Sequence, residues 1–152
     1  MSRRASRGAI ALAAFAFVGA AISVYLTFVH YAAAPLACGS CGVIDCADVM
    51  SSAYSVLPGT TIPVTVPGML WFAGSGALAV TAVVALRRGI AEPGWLRPMH
   101  LLWTVAGLVA VFYLVYGEIS LRHICEWCTG VHLLVLASLL VAMARWQHSV
   151  SR

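Results

Sequence analysis

The sequence predicts an all-α transmembrane four-helix bundle, with a cysteine-bearing loop and a short interfacial helix between the first and second spans. Three observations carry this. Of the 152 residues, 62% are hydrophobic and 9% are charged, whereas a soluble domain carries about 25% charged residues. Four stretches, 9–29, 64–86, 99–117 and 124–144, approach or exceed the roughly 20 apolar residues that a membrane helix needs. The polar residues collect in the short segments between them, so residues 1–152 read as one membrane domain with no soluble one. The net charge of +4 rests on nine arginines and no lysine. They form no basic run that could track phosphates, which excludes nucleic-acid binding, and so apolar a chain is not disordered.

The first span, 9–29, follows Arg3, Arg4 and Arg7 and is itself uncharged. With Ala32-Ala33-Ala34 behind it, it resembles a secretory signal. An h-region is about 7–15 residues long, however, and this run is longer. The twin arginines are followed by Ala5-Ser6, which does not continue an export signal, so the run is expected to stay as a span. The second span, 64–86, has Pro67 near its start, and Arg87 and Arg88 follow it. The third, 99–117, has Arg97 before it and His100 at one end. The fourth, 124–144, is charged only at Glu126 and precedes Arg145 and Arg152. Four spans put eight of the nine arginines on one face, leaving Arg122 opposite. By the positive-inside rule that face is cytoplasmic, so both termini are expected in the cytoplasm of a multi-pass inner-membrane protein. Asp45, Asp48, Glu118 and Glu126 fall on the other side.

All five cysteines lie on that outer side, where disulfides persist. Cys38, Cys41 and Cys46 are in the long loop, about 30–63, and Cys125 and Cys128 open the fourth span. Cys125-Glu-Trp-Cys128 places two sulfurs on one face of a helix's first turn, where free N–H groups and the dipole favour the attacking thiolate. A staple within one turn and a zinc site shared with the loop cysteines are the other uses of such a pair. From Cys46 onward, Cys46, Val49, Met50, Ala53, Tyr54 and Leu57 repeat with helical period until Pro58-Gly59. They predict an amphipathic helix lying along the interface as a lid over the bundle, with Cys46 on the face turned toward the membrane. Two cysteine sets on one side of a bilayer suggest an electron path. A loop pair takes electrons from a soluble dithiol, passes them to Cys125–Cys128, and these unload into a lipid-soluble two-electron acceptor such as a quinone.

Several segments resemble the bacterial vitamin K epoxide reductase (VKOR) family, four-helix membrane thiol oxidoreductases related in function to DsbB. They are Ser23-Val-Tyr-Leu-Thr27, Cys46 through Tyr54, Ile62-Pro-Val64 with Gly68, Tyr116-Gly-Glu118, and Ile124 through His132. The likeness covers about 23–136. It implies an enzyme that reoxidises an extracytoplasmic thioredoxin-fold, DsbA-like protein and reduces a membrane quinone, menaquinone or ubiquinone. It also implies that Cys38 and Cys46 form the loop pair, with Cys41 as an extra or alternative thiol. Cys125 then exchanges with the loop, and Cys128 stands beside the quinone. His132, one turn deeper, matches a polar group that hydrogen-bonds a quinone oxygen, and Ser52 matches a serine near the active site. No metal is expected. The chain departs from the family in its third loop cysteine and in a longer stretch from Pro58 to Thr61. The rival readings are a vitamin K epoxide reductase of the same fold, a membrane protein that handles metal through Cys and His, and a structural subunit. In the last, Trp71, Trp103 and Tyr113 only pack, and Gly74, Gly76 and Gly107 only let helices approach.

Overall fold

In the computed structural model, which describes residues 3–38 and 42–150, the long apolar stretches are helices. They are α1 (Arg3–Ala32), α3 (Thr65–Arg87), α4 (Leu96–Leu121) and α5 (Glu126–Val150), and the short α2 (Cys46–Ser51) lies in the first connection. Segments Ser6–Ala32, Thr65–Arg87, Leu96–Leu121 and Glu126–Gln147 are long and apolar enough to cross a membrane. Helices α1 and α4 overrun the apolar stretches at both ends, because backbone hydrogen bonding does not stop where the apolar residues do. At α5 the start is later than the apolar pattern suggested, and Cys125 is left as the residue just before the helix.

Close approach between the spans depends on small residues, as expected where lipid removes the hydrophobic drive for helices to associate. The Phe72 ring of α3 lies over Gly19 of α1. Helices α3 and α4 carry a reciprocal clasp. The Trp71 ring lies on Gly107 and the Trp103 ring on Gly74. Each indole then donates to the other's backbone, Trp71 Nε1 to Trp103 O at 2.9 Å and Trp103 Nε1 to Trp71 O at 3.0 Å. Phe17, Phe28, Val109, Phe112 and Leu140 are exposed on the outer faces of the helices, which suits a lipid surroundings.

At the arginine-rich end the α3–α4 connection sends Glu92 inward. It is buried between two arginines, with Arg97 Nε and Arg145 Nη2 each 2.6 Å from a carboxylate oxygen. Gly8 of α1 packs on the Arg145 stem, so this one carboxylate ties α4 and α5 together beneath α1.

At the cysteine end α1 stops at Ala33, which adopts a left-handed conformation (φ 47°). Ala34 N–H closes the helix on Val29 O at 3.3 Å. The lid differs from the continuous helix that the periodicity predicts. Ser52 is extended (ψ 164°) and ends α2, and a 3-10 turn follows at Ala53–Ser55. The Ser52 hydroxyl causes the break: it accepts Tyr54 N–H at 3.3 Å and donates to Val49 O at 2.7 Å. Serine competes in this way with the helical ladder. The turn brings Ser55 inside and leaves Ala53 exposed, the reverse of the helical pattern, while Cys46 and Val49 stay buried. The long stretch after it is a tight hairpin. Val56 bridges Pro63, Leu57 N–H meets Ile62 O at 2.9 Å, and Gly59 takes a positive φ of 76° at its tip.

Candidate active site

The loop that carries the first cysteines is stitched to the start of α5. Ala37 donates its N–H to the Tyr25 hydroxyl at 3.2 Å, and its carbonyl accepts Trp127 Nε1–H at 2.8 Å. The Tyr25 and Trp127 rings meet with centroids 5.1 Å apart. The tryptophan between the paired cysteines is therefore a clamp on the loop. Further on, Ile124 N–H donates to Val43 O at 2.9 Å and Asp45 N–H to Ile124 O at 3.2 Å. Asp45 caps α2 through Asp48 N–H at 3.0 Å. Asp48 in turn accepts from His123 Nδ1 at 2.7 Å. Four local contacts thus fix the first residue of α2, Cys46, beside the residue that precedes α5, Cys125.

Cys38 and Cys46 are joined by a disulfide, with Cα atoms 6.2 Å apart. Cys41 lies outside the described residues. Cys125 and Cys128 are thiols. Cys46, Val49 and Cys125 form one buried apolar cluster, with Cys38, Trp127 and Cys128 packed against it. The two cysteine pairs therefore share a single water-poor pocket of protein.

Cys125 is fully buried and caps α5. Its sulfur accepts Cys128 N–H at 3.3 Å, and its own N–H donates to Glu118 Oε1 at 3.3 Å. A hydrogen bond from the Cys128 side chain is the largest influence on its acidity, and it holds the Cys125 thiol below the ordinary cysteine pKa. Burial and the nearby Glu118 carboxyl push the other way and are outweighed. Charge on this pair is therefore held at the inner sulfur.

Behind the pair is a cavity, largely apolar, lined by α1, α3, α4 and α5 and roofed by Met50 and Tyr54 of the lid. Its polar wall consists of Cys128 and His132 of α5, Glu118 of α4, Ser23 of α1, Thr65 at the start of α3, and Ser55. Cys125 is not part of the wall. The His132 ring nitrogen Nε2 is buried there and has no hydrogen-bond partner among the described residues. A buried polar atom left unpaired costs free energy, so the site suits a ligand that brings an oxygen to it. Ser52 lies outside the wall, its hydroxyl spent on the lid's turn. Tyr54 packs on Gly117, where a Cβ would stand 2.9 Å from the tyrosine, and its ring approaches Tyr113 and Tyr116.

Among the candidate residues, Cys38, Cys46, Cys125 and Cys128 come together, and His132 joins Cys128 at the cavity. Glu118, Ser55, Tyr25 and Trp127 are equally part of the construction, although spacing alone singles out none of them. An acid in the last turn of an apolar span was the available signal for Glu118, since ionisable groups inside spans are expensive. Among the described residues no three His, Cys, Asp or Glu side chains gather to hold a metal ion.

Comparison with curated proteins returned no match. A family model does match, over residues 10–143, and its description is the vitamin K epoxide reductase family. That range reaches into all four apolar spans and contains both cysteine pairs and the whole cavity wall. The chain belongs to the vitamin K epoxide reductase family, and is a membrane oxidoreductase that works through its cysteines.

Proposed function

We propose that this protein takes two electrons from an extracytoplasmic thioredoxin-fold dithiol protein and delivers them to a quinone, menaquinone or ubiquinone, in the cavity behind Cys128. The observation that carries the reading is the layout of the sulfurs. The loop disulfide Cys38–Cys46, the buried Cys125 and the cavity-lining Cys128 form a series from the loop to the cavity wall. The arginine-rich end faces the cytoplasm, with both termini, and the cysteine end faces outward.

A thiolate of the partner attacks the loop disulfide and forms a mixed disulfide with Cys38 or Cys46, which the partner's second thiol resolves. One loop thiolate attacks the Cys125–Cys128 disulfide at Cys125, and Cys128 leaves as a thiolate. The second loop thiol then resolves the mixed disulfide, which re-forms Cys38–Cys46 and releases Cys125, and the two loop protons pass to the inner pair. Attack at Cys125 is favoured because Cys125 shares the cluster with Cys46. An oxidised loop, Cys38–Cys46, with Cys125 and Cys128 as thiols is the state that discharges. A bound quinone supplies a two-electron, two-proton acceptor. Cys128 and His132 line the wall where it would bind, and His132 Nε2–H would donate to its oxygen, which fits the unpartnered nitrogen. The apolar wall excludes water, and the lid closes the cavity toward the loop. The partner needs only to be as oxidising as a DsbA-type protein, at about −120 mV, for the acceptor to have to lie above that.

The test is quinol formation by purified protein supplied with a reduced thioredoxin-fold protein and quinone. Wild type turns over, and Cys128→Ala falls to background. Turnover of Cys128→Ala at the wild-type rate would overturn the series. Substituting vitamin K epoxide for quinone in the same assay separates the quinone reading from an epoxide reductase.

A further inference from the structure

Resting on the reading above, reduction of a quinone consumes two protons as well as two electrons, and the wall of this largely apolar cavity offers few groups that can deliver them. The inner pair holds two as a dithiol. Cys128 lines the cavity and can give its proton directly. Cys125 cannot, because it has no exposed surface and is absent from the cavity wall. Glu118 joins these two places. Its Oε1 accepts the Cys125 N–H at 3.3 Å while its side chain lines the cavity with Cys128 and His132. It is buried, and among the described residues no arginine or histidine is paired with it to make it a structural ion pair.

We propose that Glu118 is the proton carrier of the inner pair: on reduction of Cys125–Cys128 it takes the Cys125 proton and holds it at the cavity wall. The balance is simple. Glu118 carboxylate and Cys125 thiol become Glu118 carboxylic acid and Cys125 thiolate, with the charge moved and no atom lost. The two protons then stand on Cys128 and Glu118, both on the wall. When the pair discharges, the disulfide between Cys125 and Cys128 re-forms and gives up two electrons. The S–H of Cys128 and the O–H of Glu118 supply the two protons to the quinone oxygens, and Glu118 returns to carboxylate. The thiolate left on Cys125 is the one that the Cys128 thiol hydrogen-bonds, so the geometry accommodates the charge it creates.

Difference infrared spectroscopy of quinone-free protein tests the proton directly. Reducing Cys125–Cys128 is expected to produce a protonated-carboxyl stretch in wild type that Glu118→Gln lacks. Reduction that produces no such band, or the same band in Glu118→Gln, overturns the assignment. Should Glu118→Gln fail to fold, Glu118→Asp keeps a carboxyl and is expected to shift the band, and an unshifted band has the same overturning force. Pre-reduced Glu118→Gln mixed with quinone is also expected to form quinol at least about tenfold more slowly than wild type. Glutamine can still accept the Cys125 N–H, so a merely structural Glu118 would show neither effect, and equal rates overturn the proposal. If wild type itself reduces no quinone, the proposed function falls, while the infrared result still decides the fate of the proton.

Discussion

The Cys125 sulfur occupies the place that a serine or aspartate oxygen takes at the head of most helices. It accepts Cys128 N–H there, and the Cys128 side chain hydrogen-bonds it as well. The same geometry that begins α5 thus makes Cys125 the more acidic sulfur of the pair. The sign is definite: a thiol held below its ordinary pKa is ionised over a pH range in which a free cysteine is not. Titrating the thiolate absorbance of the reduced protein, with Cys41 removed, is expected to show the first ionisation below the ordinary cysteine range. Cys128→Ala removes the donor and is expected to move it to higher pH. An unmoved titration would mean that the helix terminus alone sets the acidity. The spacing of Cys125 and Cys128 was legible in the sequence as a reactive pair. Which of the two faces the cavity came from the family resemblance and not from the spacing, because it depends on how far α5 begins beyond Ile124 and on where α4 delivers Glu118.

At the scale of the element, the four spans were legible because apolar runs of bilayer length have few other uses. The lid was legible only in part. The period of Cys46, Val49, Met50 and Tyr54 survives the break at Ser52, so the pattern cannot reveal the interruption, and only the hydroxyl's capping bonds do. The tryptophan clasp between α3 and α4 is likewise invisible in either helix alone, since each glycine is explained by a tryptophan on the other. The clasp leaves no room for a methyl group. A Cβ at Gly74 would stand 2.7 Å from the Trp103 ring, and one at Gly107 would stand 2.5 Å from the Trp71 ring. Gly74→Ala and Gly107→Ala are each expected to cost about 1–3 kcal/mol by overpacking. Thermal unfolding in detergent measures this, and Gly76→Ala, whose Cβ would meet Ala16 at an ordinary 3.6 Å, serves as the tolerant control. Equal midpoints for the three variants would remove the clasp from the account of stability.

Across the whole molecule the two ends are built from opposite materials. The cysteine end is held by a disulfide, an aromatic contact and hydrogen bonds between short loops, whereas the arginine end turns on the buried Glu92. No feature of the local sequence announces that burial, because an acid in a short loop flanked by arginines is ordinarily solvated. It becomes visible only when α5 brings Arg145 opposite Arg97. Breaking a buried pair strands an uncompensated charge, at about 3–5 kcal/mol. Glu92→Ala, which leaves two arginines without their carboxylate, is expected to lower the unfolding midpoint far more than removal of the exposed Asp48. If both variants unfold together, the buried ion cluster contributes nothing. The burial of Cys125 has a consequence of another kind. Quinones react directly with thiols in water, and such adducts would poison both pools. With one sulfur buried between the loop disulfide and the cavity, electrons on the proposed path would cross from the aqueous thiols to the acceptor without the two coming into contact. Cys125 makes the proposed path an insulated junction, where the two chemistries communicate without mixing.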